Sequence, residues 1–310
     1  MISSIFGKTK PVNFIIVLGF IFLFYWLVQF FIFPVNLDFQ ELIYYFFVLG
    51  VLLFSVFMVD FIAKRNQITG TNSFTILFYA LLIVVFPEVL LDPNAIFCNF
   101  FLLLAFRRIL SLKSLKNVKH KVFDASIWIL IASFWYDWAL IFLLLVYIAI
   151  YFYEPKIFKN WLVPVGALII IALITYAALM ILDKVEFLQE HYQFEYIPDF
   201  KNHLADYTKI GIYTLLALVI SSIAFIRMSN LGMGKIITMR LIAVALGLGL
   251  TLTFLKTSEI SFPVLITFFS TSIFLTKYVE LTKKSNYKEL FLIASVLLPF
   301  LILSIELILK

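Results

Sequence analysis

The chain has 310 residues, of which 64% are hydrophobic and only 14% are charged, and its mean hydropathy is +1.07. A composition this apolar excludes a soluble globular domain and predicts an all-α protein, a polytopic transmembrane helical bundle. The single Cys98 excludes a disulfide framework and a thiolate metal cluster. Basic residues at one membrane face explain the net charge of +6, so we expect membrane lipids and no nucleic acid as partners.

Hydropathy along the chain predicts about eleven membrane spans. The first apolar run has no small-residue cleavage site, so we expect a retained span and not a cleaved signal. The predicted spans are residues 14–33, 42–63, 74–91, 95–106, two short spans of a hairpin at 122–153, and then 161–182, 210–226, 237–255, 262–275 and 290–309. We divide the chain into an N-terminal membrane module at 1–182, an outer interfacial loop at 183–209 and a C-terminal four-span bundle at 210–310.

A basic elbow at residues 107–121 leads into the hairpin at 122–153. The apolar hairpin run has 32 residues, too long for one crossing of about 30 Å at about 1.5 Å per residue and enough for two short ones. Its middle places Trp135, Tyr136 and Trp138 around Asp137, which is typical of a tip at a membrane–water interface. The alternative is a re-entrant hairpin that does not cross fully, which would put the C-terminus on the other side.

The distribution of charge predicts the orientation. With a cytoplasmic N-terminus, 19 of the 24 Lys and Arg residues, including all five Arg, fall at cytoplasmic ends of spans. Most carboxylates fall on the opposite side, as the positive-inside rule leads one to expect. Any reactive carboxylate is therefore expected on the outer face.

Four outer carboxylates are candidates for chemistry. Asp38 and Glu41 follow the first span three residues apart, where a carboxylate can act as a general base or bind a divalent cation that bridges phosphates. Glu88 and Asp92 are bracketed by Pro87 and Pro93 at the end of the third span, and one turn of separation predicts that they share a face. For Asp38 and Glu41, the alternative is that outer loops carry acids simply because basic residues are excluded there. For Glu88 and Asp92, the alternative is a capped helix end in water.

Asp137 is a fifth candidate because a charge inside a long apolar run is costly unless it faces water or a partner. A recessed hairpin tip would make its carboxylate line a cavity. The following segment, 183–209, alternates aromatic and charged residues, which favours an interfacial segment that caps a lipid-facing groove. His191 lacks metal-motif spacing with its neighbouring acids, so we expect no metal site there.

The elbow cations are expected to attract anionic lipid headgroups. The alternative is a solvated charge cluster that only sets the topology. Asp124 is expected to neutralise the cluster locally beside Lys121. The cations expected to bind lipid are Arg107, Arg108, Lys113 and Lys116.

The order of these segments carries a resemblance. In chain order, the segments are an acidic end of the third span, an apolar fourth span, Arg107-Arg108, a hairpin that reads DASIWILIASFW and a basic exit. Over the first seven spans, this order resembles the core of GT-C-type membrane glycosyltransferases. The chain as a whole resembles a family of bacterial inner-membrane proteins defined only as a domain of unknown function. This implies a multi-pass protein of the bacterial inner membrane.

The GT-C resemblance implies transfer of a sugar from a polyprenyl-phosphate donor at the outer face. Asp38 would be the leading base, with Glu41 or Asp137 in support and Glu88 and Asp92 on the substrate. The resemblance implies no specific cofactor, although the acids could hold a divalent cation. The outer cations available to a donor phosphate are Lys184, His191, Lys201, His203, Lys209 and Lys256.

Two function hypotheses follow from the sequence. The first is a GT-C-like glycosyltransferase or a handler of a polyprenyl-phosphate-linked sugar. The second is a non-catalytic component of an envelope assembly, in a complex with other membrane proteins, or a lipid or solute carrier. The first requires a lipid-accessible outer cavity with a carboxylate at its wall, whereas a scaffold requires a broad apolar surface without such a cavity.

Overall fold

The structure is a computed structural model that describes residues 2–33, 39–194, 204–228, 232–258 and 261–309. Within these ranges all regular secondary structure is helical, which confirms the all-α prediction. Seven of the described helices are long and apolar enough to cross a membrane. The apolar segments Phe74–Val85 and Asp137–Tyr153 are shorter. A multi-pass integral membrane protein is therefore supported by helix length and composition.

The α-helices of the described residues are numbered in chain order. The first eight are α1 (Ile2–Phe6), α2 (Pro11–Leu27), α3 (Phe39–Arg65), α4 (Phe74–Val85), α5 (Pro93–Leu110), α6 (Val118–Ala132), α7 (Leu143–Tyr153) and α8 (Phe158–Ile181). The remaining five are α9 (Glu186–His191), α10 (Leu204–Arg227), α11 (Met233–Lys256), α12 (Leu265–Leu281) and α13 (Ser285–Leu309). A π-helical turn, Val28–Ile32, extends α2, and 3₁₀ turns occupy Pro87–Leu90, Ser111–Ser114 and Asp137–Phe142.

Prolines and a side-chain cap set the break between α4 and α5. α4 ends at Val85 because Pro87 begins a 3₁₀ turn, so the predicted third span is interrupted before its acidic end. Asp92 then caps α5: its carboxylate accepts the backbone N–H of Ala95 at 3.1 Å, and Pro93 occupies the first helical position. This break turns the polar side chains of residues 86–92 into the interior of the bundle.

The centre of the bundle is formed by α4 and α12. Every residue of α4 except Val85 is buried, and α12 is buried over most of its length. The two helices are joined by a 3.2 Å hydrogen bond between the hydroxyls of Thr75 and Thr276. Phe106 stacks on Phe269 with ring centroids 5.4 Å apart, one of many aromatic contacts that agree with packing through bulky rings.

Contacts between helix ends define two opposite rims of the bundle. At the elbow rim (residues 64–72, 107–121 and 277–282), Gly70 N–H donates to Glu280 at 2.6 Å. At the cap rim (residues 86–92, 133–138 and 256–262), Phe262 N–H donates to Asp92 at 2.7 Å. α5 runs from Asp92 to the Arg107-Arg108 pair, which separates the rims by about 25 Å at about 1.5 Å per residue. Asp92 and the arginine pair therefore lie at opposite ends.

Candidate functional site

The hairpin tip places Asp137 in a buried position at the cap rim. Its side chain is 3% exposed, and the ammonium group of Lys256 at the end of α11 lies 3.0 Å from Oδ1. The backbone N–H groups of Trp138, at 2.8 Å, and Phe194, at 3.1 Å, also donate to this carboxylate. One ion pair and two backbone hydrogen bonds therefore satisfy this buried carboxylate.

A second carboxylate, Asp92, organises the same rim. It is 2% exposed and accepts hydrogen bonds from the Tyr136 hydroxyl and the Phe262 N–H in addition to its helix-capping bond. The Ser261 hydroxyl donates to Tyr136 at 2.8 Å. Burial raises the pKa of Asp92, and the hydrogen bond from Tyr136 acts in the opposite direction. Asp92 therefore joins α5, the hairpin tip and the start of α12.

Asp137 lines one cavity, which we call the cap cavity, and Asp92 contacts its wall through the hydroxyl of Tyr136. Its volume is about 330 Å³, within the range of small-ligand sites. Lys256 supplies a cation and Ser258 and Ser261 supply hydroxyls. The lining residues are Trp135, Tyr136, Asp137, His191, Leu255, Lys256, Thr257, Ser258 and Ser261.

The strap, residues 186–194, closes one side of the cap cavity. His191 Nε2 donates to the Ser133 carbonyl at 2.7 Å, and the Tyr192 hydroxyl lies 2.8 Å from the Ser133 hydroxyl. The Phe194 N–H bond to Asp137 holds the end of the strap. The predicted interfacial segment thus contains a short helix, α9, and its last residue, His191, is anchored to the hairpin tip together with Tyr192 and Phe194.

The other side of the strap faces an apolar groove of about 290 Å³ between the hairpin and α8. α8 is almost entirely exposed on the surface of the bundle, so the groove opens towards lipid if α8 crosses a membrane. Tyr192 lines this groove, and the adjacent His191 lines the cap cavity. The groove residues are Leu130, Ser133, Phe134, Leu140, Leu168, Ile171, Ala172, Thr175, Leu188, Tyr192 and Phe194.

Glu88 has a different partner from Asp92, although the two were expected on one face. Lys209 at the start of α10 lies 3.3 Å from Glu88 and 2.6 Å from Glu306 of α13. Glu88 lies within the 3₁₀ turn Pro87–Leu90, whereas Asp92 follows that turn as the N-cap of α5. The pKa of Glu88 is raised because its carboxyl group is buried, and the charge of Lys209 opposes this shift. This ion triad joins three segments of the cap rim.

The elbow rim carries a larger concavity of about 560 Å³, the elbow pocket. Arg107, Arg108 and Lys113 line it as the lipid-headgroup hypothesis requires, whereas Lys116 is exposed and is not part of its wall. Asp124 pairs with Arg108 at 3.0 Å, so it neutralises part of the basic cluster as expected, through Arg108 and not through the neighbouring Lys121. The full lining is Phe61, Arg65, Asn66, Gln67, Arg107, Arg108, Leu110, Ser111, Lys113, Ser114 and Lys121.

Two of the remaining sequence candidates, Glu41 and Lys184, do not line the cap cavity. Glu41 is exposed in the first turn of α3, and Lys184 is exposed just after α8. Asp38, Lys201 and His203 lie outside the described residues. Of the predicted outer set, the cavity wall therefore combines Asp137, His191 and Lys256.

Sequence reasoning missed Tyr136 and Ser261 at the cap rim and Arg65 at the elbow pocket, whereas Lys121 belongs to the predicted basic elbow. Tyr136 was interpreted only as an interfacial ring, although its position beside Asp137 was a signal that it also turns inwards. Arg65 ends α3 and Lys121 begins α6, so only the fold could bring them together.

Two further findings concern metal binding and similarity to known proteins. Among the described residues, no group of three or more His, Cys, Asp or Glu side chains is arranged to hold a metal ion. No protein-family model, curated protein sequence or solved structure matches the chain.

Proposed function

We propose that the chain is a multi-pass protein of the bacterial inner membrane that binds a polyprenyl-phosphate-linked sugar at its cap rim. The observation that carries this proposal is the shared wall: one strap separates an apolar, surface-facing groove from a polar cavity with a lysine and a carboxylate. A lipid-linked polar group needs both environments side by side. The isoprenoid chain would occupy the groove, and the phosphate and sugar the cap cavity.

Lys256 is the residue best placed to bind the phosphate. Its ammonium group lines the cavity, and among the described residues its ion-pair partner is Asp137. A phosphate oxygen competes for the same ammonium group through a charge-assisted hydrogen bond. When Lys256 turns to the phosphate, Asp137 loses its strongest donor and becomes available to accept a proton from an acceptor hydroxyl. In GT-C-like transfer, Asp137 would then be the base.

We also propose eleven crossings with a cytoplasmic N-terminus. Support comes from the eleven helices longer than ten residues in the described ranges, whose ends alternate between the rims. For example, the carboxylate of Glu289 near the start of α13 accepts a hydrogen bond from the backbone N–H of Ser3. Near the other end of α13, Glu306 forms an ion pair with Lys209 at the cap rim. The arginine-rich rim would face the cytoplasm, so the cap cavity would face outwards.

One observation favours a second function, a lipid carrier or binding component without chemistry. Asp137 accepts two backbone hydrogen bonds, forms an ion pair with Lys256 and is nearly fully buried, which suits a group that holds the hairpin tip and the strap together. In that case Lys256 and the groove still bind the lipid, but no sugar is transferred.

Native mass spectrometry of the purified protein tests lipid binding. Ala172→Trp fills the groove, and Leu173→Trp places the same ring on the neighbouring position of α8, which is 64% exposed and outside the groove wall. We expect Ala172→Trp and Lys256→Gln to lose copurified polyprenyl phosphate and Leu173→Trp to retain it. Equal retention in all three variants would falsify the proposal.

A transfer assay separates the two functions. With radiolabelled polyprenyl-phosphate sugar and membrane acceptors, Asp137→Asn should abolish transfer and keep lipid binding if the protein is an enzyme. If wild-type protein binds the lipid and transfers nothing, the carrier function stands and the enzymatic one is overturned. Melting curves in detergent confirm that each variant is folded.

A further inference from the structure

We propose that the elbow pocket is a specific binding site for a phosphate-bearing anion, either a diphosphate in solution or the phosphate group of a lipid. The pocket lies at the opposite end of the bundle from the cap cavity. The proposal therefore stands or falls independently of the function proposed for the cap rim.

The first observation is convergence of charge from separate segments. Five cations line one concavity of about 560 Å³, and its described wall contains no carboxylate. They come from the last turns of α3 and α5, the 3₁₀ turn Ser111–Ser114 and the first turn of α6. These cations are Arg65, Arg107, Arg108, Lys113 and Lys121. Positive charge that only sets the orientation of the protein must lie on this side of the membrane, but it does not have to be concentrated in one pocket.

The second observation is that three of these cations are held in place by the protein. The Arg107 guanidinium lies over the ring of Phe61 at 5.1 Å. Arg108 is oriented by Asp124 at 3.0 Å. Lys121 donates to the Ser111 carbonyl at 2.7 Å and to the Ser114 hydroxyl at 2.6 Å. Fixed cations lose less conformational freedom when an anion binds, so the site is preorganised.

The third observation is the backbone of the two loops that form the wall. Gln67, Leu115 and Asn117 adopt left-handed conformations with φ of 51°, 53° and 51°, which are unfavourable for residues other than glycine. Gln67 itself lines the pocket. On the other loop, Leu115 N–H donates to the Leu112 carbonyl at 2.8 Å and Lys121 N–H to the Asn117 carbonyl at 3.1 Å. Both loops are thus held in tight turns around the same concavity.

The ligand class follows from the donors. Guanidinium forks match phosphate oxygens in geometry, and lysine adds a point charge. With one of the five charges already balanced by Asp124, four remain, which suits a group with two or more negative charges better than a single carboxylate. A concave, one-sign wall also focuses the potential on the bound anion. The structure therefore favours a diphosphate or phosphate monoester over a carboxylic acid.

The experiment compares two pairs of substitutions that remove equal charge from the same elbow. Arg107→Gln with Lys113→Gln removes two pocket cations, and Lys116→Gln with Lys119→Gln removes two exposed cations outside the wall. Inorganic pyrophosphate is titrated calorimetrically into full-length protein in neutral detergent. Retained phosphatidic acid, a phosphate monoester, is counted by native mass spectrometry after reconstitution in mixed nanodiscs, with the phosphodiester phosphatidylglycerol as the singly charged comparison.

We expect the pocket pair to weaken binding about tenfold or more, because each lost contact is charge-assisted, and the exposed pair to leave it nearly unchanged. Loss of pyrophosphate affinity in the pocket pair identifies a free diphosphate as the ligand source, and loss of retained anionic lipid identifies a headgroup. The proposal is overturned if wild-type protein binds neither probe, or if both pairs weaken binding equally. Matching melting temperatures for the two pairs show that the comparison is made on folded protein.

Discussion

The ammonium group of Lys256 lies 3.0 Å from the carboxylate of Asp137, and their side chains are 25% and 3% exposed. This ion pair joins the last residue of α11 to the tip of the hairpin. Because the carboxylate also holds the backbone of Phe194 at 3.1 Å, the same pair fixes the strap between the cap cavity and the apolar groove.

Breaking this pair from one side should destabilise the protein. Lys256→Met leaves a buried carboxylate with only backbone donors, so we expect a loss of about 2–3 kcal/mol in the free energy of unfolding. Adding Asp137→Asn should restore part of it because the unpaired charge is removed. Unfolding curves in detergent measure both changes, with exposed Lys184→Met as the control. An additive double mutant would contradict the coupling.

The triad around Lys209 predicts a pH-dependent variant. Lys209→Met removes the shared counter-ion of Glu88 and Glu306, so the two carboxylates are left close together without a cation. Their repulsion exists only when both are ionised. We expect the variant to lose about 3 kcal/mol at high pH and less at low pH. Glu306→Gln in the same variant should recover stability at high pH, and a loss that is independent of pH would argue against the triad.

Asp92 predicts a pH dependence of the wild-type protein. Because burial raises its pKa, the folded state binds more protons than the unfolded state between about pH 3.9 and the raised value. Stability should therefore fall as the pH rises through this window, and Asp92→Asn should flatten that slope. Tyr136→Phe removes the hydrogen bond that lowers the pKa, so it should extend the window upwards. Thermal melting across the acidic range measures the slopes, and identical slopes for wild type and Asp92→Asn would refute this.

The single cysteine allows the orientation to be measured. Cys98 is fully buried, so we expect it to resist maleimide in folded protein and to react on unfolding. In a Cys98→Ser background, a membrane-impermeant maleimide added to spheroplasts should label Lys184→Cys and spare Lys116→Cys. Labelling of both in intact spheroplasts, or the reverse pattern, would contradict a cytoplasmic elbow rim.

Local sequence signals predicted the elements well and their partners poorly. The hairpin tip at Trp135 to Trp138 was predictable because an acidic residue interrupts a long apolar run. A helix cap at Asp92 was one of the alternatives that the sequence offered, but the bonds of Asp92 to Tyr136 and Phe262 were not predictable, because these partners are distant in sequence. Asp124 was expected beside Lys121, one helical turn away, but the packing of α5 on α6 brings Arg108 closer. Spacing along one helix is therefore a weak guide where a second helix supplies a competing charge.

The burial of α4 has a consequence for biogenesis. This helix is covered on all sides, and part of its cover is α12 and α13, through Thr276 and Phe291, which the ribosome makes about 200 residues later. During synthesis α4 must therefore remain in the bilayer, or in contact with an insertase, until α12 and α13 have been made. Nascent chains stalled before α12 should therefore be the preferred substrates of membrane quality-control proteases.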